Sequence, residues 1–232
     1  MKKSLFAMGA VLAMIAIFNV HPIKSTAADY YDYYGDNLPE GAEFAYEFCT
    51  YRVLKPATIH SYGEVEITGF NPTPDEELTD TYPYPFETVD VIGDIDDFWD
   101  FHVVGIADNA FKNNQYIKQV NIKNVDKFRY IGKSAFEGCT QLRSFNYYFA
   151  SGLTEIKARA FYGCSELSEV MFDKSELERV GKKAFAKTKP KLKLRAYDIS
   201  PKQLEKTKKL LTKAGAKKVC FKKRKKYWSD KK

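Results

Sequence analysis

Histidine is almost missing from this chain: three occur in 232 residues, and after the first twenty-eight only His60 and His102 remain. Proton transfer and nucleophile activation lean on histidine more than on any other side chain, so the scarcity thins the field of enzymes at once. A serine elbow of the Gly-x-Ser-x-Gly type, a phosphate-cradling glycine loop and zinc-type cysteine spacing are all lacking. Cys49, Cys139, Cys164 and Cys220 are too few to frame a disulfide-stapled mini-protein. Carboxylates cluster at Asp94, Asp96, Asp97 and Asp100, but a calcium loop of the EF-hand kind needs glycine where Trp99 stands. The cluster reads as a solvated acidic loop. No catalytic residue, metal site or cofactor is expected, and the sequence points to a non-enzymatic protein.

Long apolar runs are also wanting, apart from one at the start. Lys2 and Lys3 precede an apolar stretch from Leu5 to about Phe18, and Thr26-Ala27-Ala28 supplies the small residues that a signal peptidase accepts. The run falls short of the ~20 residues that span a bilayer. Residues 1–28 are therefore expected to be a signal peptide, with no transmembrane anchor, and the mature chain to be secreted, extracellular or associated with the cell surface. Basic residues are nearly absent from the next stretch. From Asp29 to Phe101 there are 18 acidic residues against Arg52 and Lys55, whereas from His102 to Lys232 there are 12 acidic and 32 basic residues. Such polarity fits either a lopsided soluble surface or a basic end that faces a polyanion.

What the chain does have is a repeat. Ile106-Ala107-Asp108-Asn109-Ala110-Phe111 returns as Ile131-Gly132-Lys133-Ser134-Ala135-Phe136, as Ile156-Lys157-Ala158-Arg159-Ala160-Phe161 and as Val180-Gly181-Lys182-Lys183-Ala184-Phe185. The phenylalanines are 25, 25 and 24 residues apart. A polar turn follows each, then an apolar pattern: Ile117, Val120, Ile122; Leu142, Phe145, Tyr147; Leu167, Val170, Phe172; and finally Leu192 and Leu194. A period in the twenties is one coil of a solenoid, because a single coil cannot bury its apolar face and stacked coils can. The last two apolar positions are two apart, as in a strand with one face inward. The Ala-Phe segment is too short for more than a helical turn.

At these residues the sequence resembles the BspA-like leucine-rich repeats of bacterial surface and secreted proteins, whose unit reads Ile-Gly-x-x-Ala-Phe-x-Gly-Cys-x-x-Leu-x-x-Val-x-Ile. Ile131 to Tyr147 matches it with Gly138 and Cys139 in place, and Ile156 to Phe172 with Gly163 and Cys164. The proline usual after the strand is missing, with Lys123, Tyr148 and Asp173 in its place, and the array is short. The resemblance implies an α/β fold: a right-handed solenoid with short parallel strands forming a sheet on one face. For some members it implies adhesion to surface molecules.

Around repeats at 102–197, four further segments are expected. Residues 29–47 form a flexible, acidic, tyrosine-rich leader. Residues 48–101 form an N-terminal β cap, with Tyr51–Leu54 and Val65–Thr68 pairing around a Ser61-Tyr62-Gly63 turn. A proline-rich loop follows, carrying a further strand at Thr88 to Ile92. Residues 198–221 form a C-terminal cap of one helix, opened by Ser200 and Pro201 and ended at Gly215, and one strand. Residues 222–232 form a basic tail.

If the apolar pairs point inward, their neighbours form an outward grid. Its columns are Gln119, Ser144, Glu169 and Lys193; Asn121, Asn146, Met171 and Arg195; and Lys123, Tyr148, Asp173 and Tyr197. This face is the candidate binding surface for an extracellular protein or glycan. In the tail, Lys222, Lys223, Arg224, Lys225 and Lys226 are candidates for an anionic surface polymer, against a merely solubilising role. The alternative function is then a wall-associated structural protein held by this basic region to a polyanion. Nucleic acid is not expected as a partner.

Overall fold

The computed structural model describes residues 38–58, 60–72, 79–80, 86–92, 94–95, 101–123, 125–148, 152–172, 176–196 and 199–223. The expected signal peptide and most of the leader lie outside them.

The chain alternates between two sheets. Strands β1 (Glu43–Tyr46), β2 (Cys49–Lys55) and β3 (Gly63–Phe70) open one sheet, and β4 (Thr88–Ile92) opens the other. After a short β5 (Asp94–Ile95), the chain visits them in turn. Strands β6 (Phe101–Ile106), β8 (Tyr130–Ile131), β10 (Glu155–Ile156) and β12 (Arg179–Val180) join the first sheet. Strands β7 (Gln119–Lys123), β9 (Ser144–Tyr148), β11 (Glu169–Phe172) and β13 (Lys191–Ala196) join the second, which β14 (Lys218–Lys223) closes after helix α1 (Pro201–Lys213). Every pairing from β3 onward is parallel except β5 with β6. The expectation of one sheet is thus corrected to two, because the isoleucine or valine that opens each repeat also pairs with its counterpart in the neighbouring coil.

Alternation along the main strands fills the space between the sheets. Val120, Ile122, Phe145, Tyr147, Val170, Phe172, Leu192 and Leu194 are all buried, as are Val89 and Val91 on β4. Register shows that β4 and β14 are true layers of this sheet, with Val89 beside Val120 and Phe221 beside Leu194. Removing each of these side chains from water contributes roughly 1.5–3 kcal/mol, so this shared interior holds the coils together.

The Ala-Phe corner is not a helical turn. Asn109, Ser134, Arg159 and Lys183, one per coil, lie in the left-handed region with φ of 56–63°. That rotation takes the peptide planes out of helical alignment and turns alternate N–H groups toward the next coil. Phe111 N donates to Ala135 O, Phe136 N to Ala160 O and Phe161 N to Ala184 O, at 2.7–2.8 Å. The rings stack as one buried ladder: Phe111, Phe136, Phe161 and Phe185 follow at 5.2, 5.3 and 5.1 Å between centroids. Phe70 meets the first ring edge-on at 5.5 Å.

The two ends are closed differently. Strands β1, β2 and β3 form an antiparallel meander that continues the first sheet, with Phe44 buried against Tyr51 and Phe101. The flexible leader expected over 29–47 therefore gives way to paired strand at Glu43, because Phe44 and the β2 edge each supply what the other lacks. At the far end Ser200 accepts from Gln203 N at 3.1 Å and Pro201 starts α1, whose Leu204, Thr207 and Leu211 face the last coil. Ala214 O accepts from Phe185 N at 3.0 Å, so the helix end completes the corner ladder. The cap also runs further than 221: Lys222 and Lys223 belong to β14, beside Arg195 and Ala196.

Candidate functional site

The outward columns of the second sheet form as the alternation demands. Thr88, Gln119, Ser144, Glu169, Lys193 and Cys220 are successive partners in one, and Asp90, Asn121, Asn146, Met171, Arg195 and Lys222 in the next. In the third, Ile92, Lys123 and Tyr148 are in register, whereas Asp173 and Tyr197 lie outside the described residues. The contributions of β4 and β14 were missed by reading only the repeats. Their signal was present as alternation in Thr88-Val89-Asp90-Val91 and in Lys218-Val219-Cys220-Phe221.

Not every outward position is open. Asn121 and Asn146 are only 5% and 8% exposed. Asn146 Nδ2 donates to Asn121 Oδ1 at 2.8 Å, Gln119 Nε2 donates to the same oxygen at 2.9 Å, and Asn121 Nδ2 donates to Asp90 Oδ1. These amides form a buried internal ladder, so the contact role expected of Asn121 and Asn146 is corrected to a structural one. Met171, Lys193 and Arg195 are half-buried and remain reachable. Arg195 Nε lies 2.6 Å from Glu169 Oε1, and Lys123 Nζ lies 3.1 Å from Asp90 Oδ2. The middle column therefore passes from a carboxylate through amides and a thioether to a guanidinium.

That polarity extends beyond the column. In ion pairs between coils the acid belongs to the earlier coil and the base to the later one: Glu87 with Lys118, Glu137 with Arg159, Glu155 with Arg179, Glu166 with Lys189. Glu137 is the most enclosed of these acids. Arg159, with help from the Ser134 hydroxyl, holds its carboxyl down at about 2.

Groups that would mark a reactive centre are accounted for otherwise. Cys139 Sγ donates to Phe111 O and Cys164 Sγ to Phe136 O, both at 3.0 Å. Burial pushes the Cys139 thiol up to about 12 and the Cys164 thiol well above its usual value, the opposite of an activated thiolate. His102 stacks on Tyr62 at 4.5 Å. Of the acidic cluster, only the Asp94 backbone is described, paired with His102 where β5 meets β6. Among the described residues no helix is long and apolar enough to cross a membrane. Arg224, Lys225 and Lys226 lie outside the described residues.

With the coils, corner and columns defined, the comparison with known proteins is direct. Residues 102–208 match the BspA type leucine rich repeat region, in 6 copies. This array belongs to that family. Arrays of the BspA type generally serve as non-catalytic, surface-associated binding modules. No curated protein matches the chain. Among solved structures, a leucine-rich repeat protein of T. pallidum is 25% identical, with 62% of this chain and 56% of that chain covered and a TM-score of 0.43. A leucine-rich repeat protein from Bacteroides capillosus is 19% identical over 60% of this chain and 86% of that one, at 0.42. A leucine rich cell surface protein from Faecalibacterium prausnitzii is 16% identical over 80% of this chain and 44% of that one, at 0.48. The chain thus spans about half the length of the first and third.

Proposed function

We propose that the chain is an exported, non-catalytic binding module with right-handed coils, recognising a protein or glycan at the cell surface or in the extracellular medium. Its contact surface is the C-terminal half of the outward sheet face, centred on Met171, Lys193 and Arg195. Tyr148 is at its edge in register. The observation that carries this reading is the contrast between a scaffold repeated from coil to coil and an outward column that passes from amide to thioether to guanidinium over its last three coils. Half-buried arginine and methionine on a rigid sheet supply contact area with little ordering cost, as binding hot spots require.

The test is a pull-down from host and bacterial surface extracts with the wild-type chain and a Met171→Ala/Arg195→Ala variant, at two salt concentrations. Loss of the captured ligand by the variant, at an unchanged melting temperature, supports the sheet face. Equal capture by both chains refutes it.

A further inference from the structure

The lysines of α1 form a row along one side of the helix. At 100° per residue, Lys202, Lys206, Lys209 and Lys213 fall within an arc of about 60° and run along roughly 17 Å of helix. All four are exposed, and Lys217 and Lys218 continue the row past the helix end. Glu205 is the one acid of the helix, and its carboxylate is engaged by Lys208 at 2.7 Å, off the row.

The coil beneath offers them few acids. Several ion pairs elsewhere join an acid of one coil to a base of the next, yet from Gly181 to Tyr197 the sequence contains no aspartate or glutamate. Among the described residues none of the row's lysines has a carboxylate partner. Cations also meet in register where the sheet ends, Lys191 beside Lys218. Like charges directly opposite destabilise a sheet, so the free protein keeps an unfavourable arrangement that a bound anion would relieve.

We propose that this helix face docks a linear anionic polysaccharide. The other occupants fit less well. Insertion into a lipid surface needs an exposed apolar face, and the apolar face of α1 is packed on the last coil. Nucleic-acid readers add arginine forks or aromatic stacking platforms, and α1 contains neither. A second copy would have to offer its acidic end, where Glu64, Glu87 and Asp90 already hold Arg129, Lys118 and Lys123. Lysines, as mobile point charges, suit anions distributed along a flexible polymer.

The experiment measures binding of the full chain to heparin, a linear sulfated polysaccharide, across a salt series. Four variants are compared with wild type: Lys202, Lys206, Lys209 and Lys213 all to Gln; the same four to Arg; Lys222–Lys226 to Gln; and Arg195→Ala. By analogy with other polyelectrolytes, each lost contact lowers the slope of log K against log salt by roughly 0.7–0.9. The four-fold Gln variant is expected to lose about 3 in slope at an unchanged circular-dichroism spectrum, while the Arg set retains binding. Undiminished binding by the Gln variant overturns the proposal, as does a loss confined to the Lys222–Lys226 variant. Tighter binding to duplex DNA than to heparin, or self-association that the same four substitutions abolish, assigns the face to another occupant and also overturns it. The Arg195→Ala variant should bind heparin nearly as wild type does, so the sheet-face reading and this one can fail separately.

Discussion

In the corner of each coil, Phe111, Phe136, Phe161 and Phe185 stand at one position, each following a residue of positive φ and an alanine. On the outward sheet face, the equivalent walk from coil to coil meets Asp90, Asn121, Asn146, Met171 and Arg195. Both series are held by the same kind of interlayer hydrogen bond, so backbone geometry does not explain why one repeats and the other varies. Access does. A corner ring such as Phe136 is enclosed between two like rings and tolerates one shape, whereas the half-buried outward positions, Met171 and Arg195, leave one side to solvent or a ligand. Uniform positions should therefore respond to substitution through stability, and variable ones through binding.

Phe136→Ala tests the uniform side most severely. Its ring lies between Phe111 and Phe161 and meets Phe145 edge-on at 5.9 Å. Truncation should cost about 3–5 kcal/mol by denaturant unfolding. A loss below about 1 kcal/mol would mean that the ladder is not the load the corner carries.

Gly132→Ala is expected next, at about 1–3 kcal/mol. A methyl group there would lie 2.4 Å from the Ala107 carbonyl carbon and oxygen and 2.6 Å from Asp108 N. These are backbone atoms of the preceding coil and cannot rotate away. Gly→Ala at an unstrained site stabilises by about 0.4–1 kcal/mol through the unfolded chain, so the sign alone decides. A stabilised variant would show that the coils are less closely packed than the contact distance implies.

The comparison also marks how far the sequence could be read. Periodicity exposed the phenylalanine ladder and the first two outward columns because each rests on a spacing, about 25 or 2, that survives in the letters. It did not expose the buried state of Asn121 and Asn146, since amides look alike whether they face water or one another. Nor did it expose β1, where a single Phe44 sits in an acidic stretch and pairing with β2 makes the strand. The basic surface was sought in the run Lys222–Lys226, where lysines adjoin in sequence. The row on α1 is scattered at intervals of four, three and four, and becomes a surface only once the helix exists.

Glu137 offers a smaller effect that pH can isolate. Its folded value lies near 2 against an ordinary 4.5, chiefly because Arg159 donates to it. A depressed carboxyl contributes stability that is present above its unfolded value and lost as pH falls through the folded one. Wild type should be more stable than Glu137→Gln at pH 6, and the gap should narrow as pH falls from about 4.5 to 2. Glu64 and Glu166 also titrate low, but they are common to both chains and cancel in the difference. A gap independent of pH would assign Glu137 a packing role instead of a charged one.

The smallest expected effect concerns the second turn of the corner. There Gly138 and Gly163 have φ of 76° and 77°, and the matching residues of the first and last coils are Asn113 at 60° and Lys187 at 61°. Glycine adopts this region freely and asparagine tolerates it, but lysine is strained there by roughly 1–2 kcal/mol. Against that relief, Lys187→Gly loosens the unfolded chain by about 0.4–1 kcal/mol and removes the ammonium lying 5.0 Å from the Tyr162 ring centre. The net result should be a gain of less than about 1 kcal/mol. In a Tyr162→Leu background the ring contact is already gone, so the same substitution should gain more, and the difference between the two gains measures the contact. Should Lys187→Gly destabilise the protein in both backgrounds, positive φ would not be what the repeat's glycine answers, and the uniformity of the corner would need another cause.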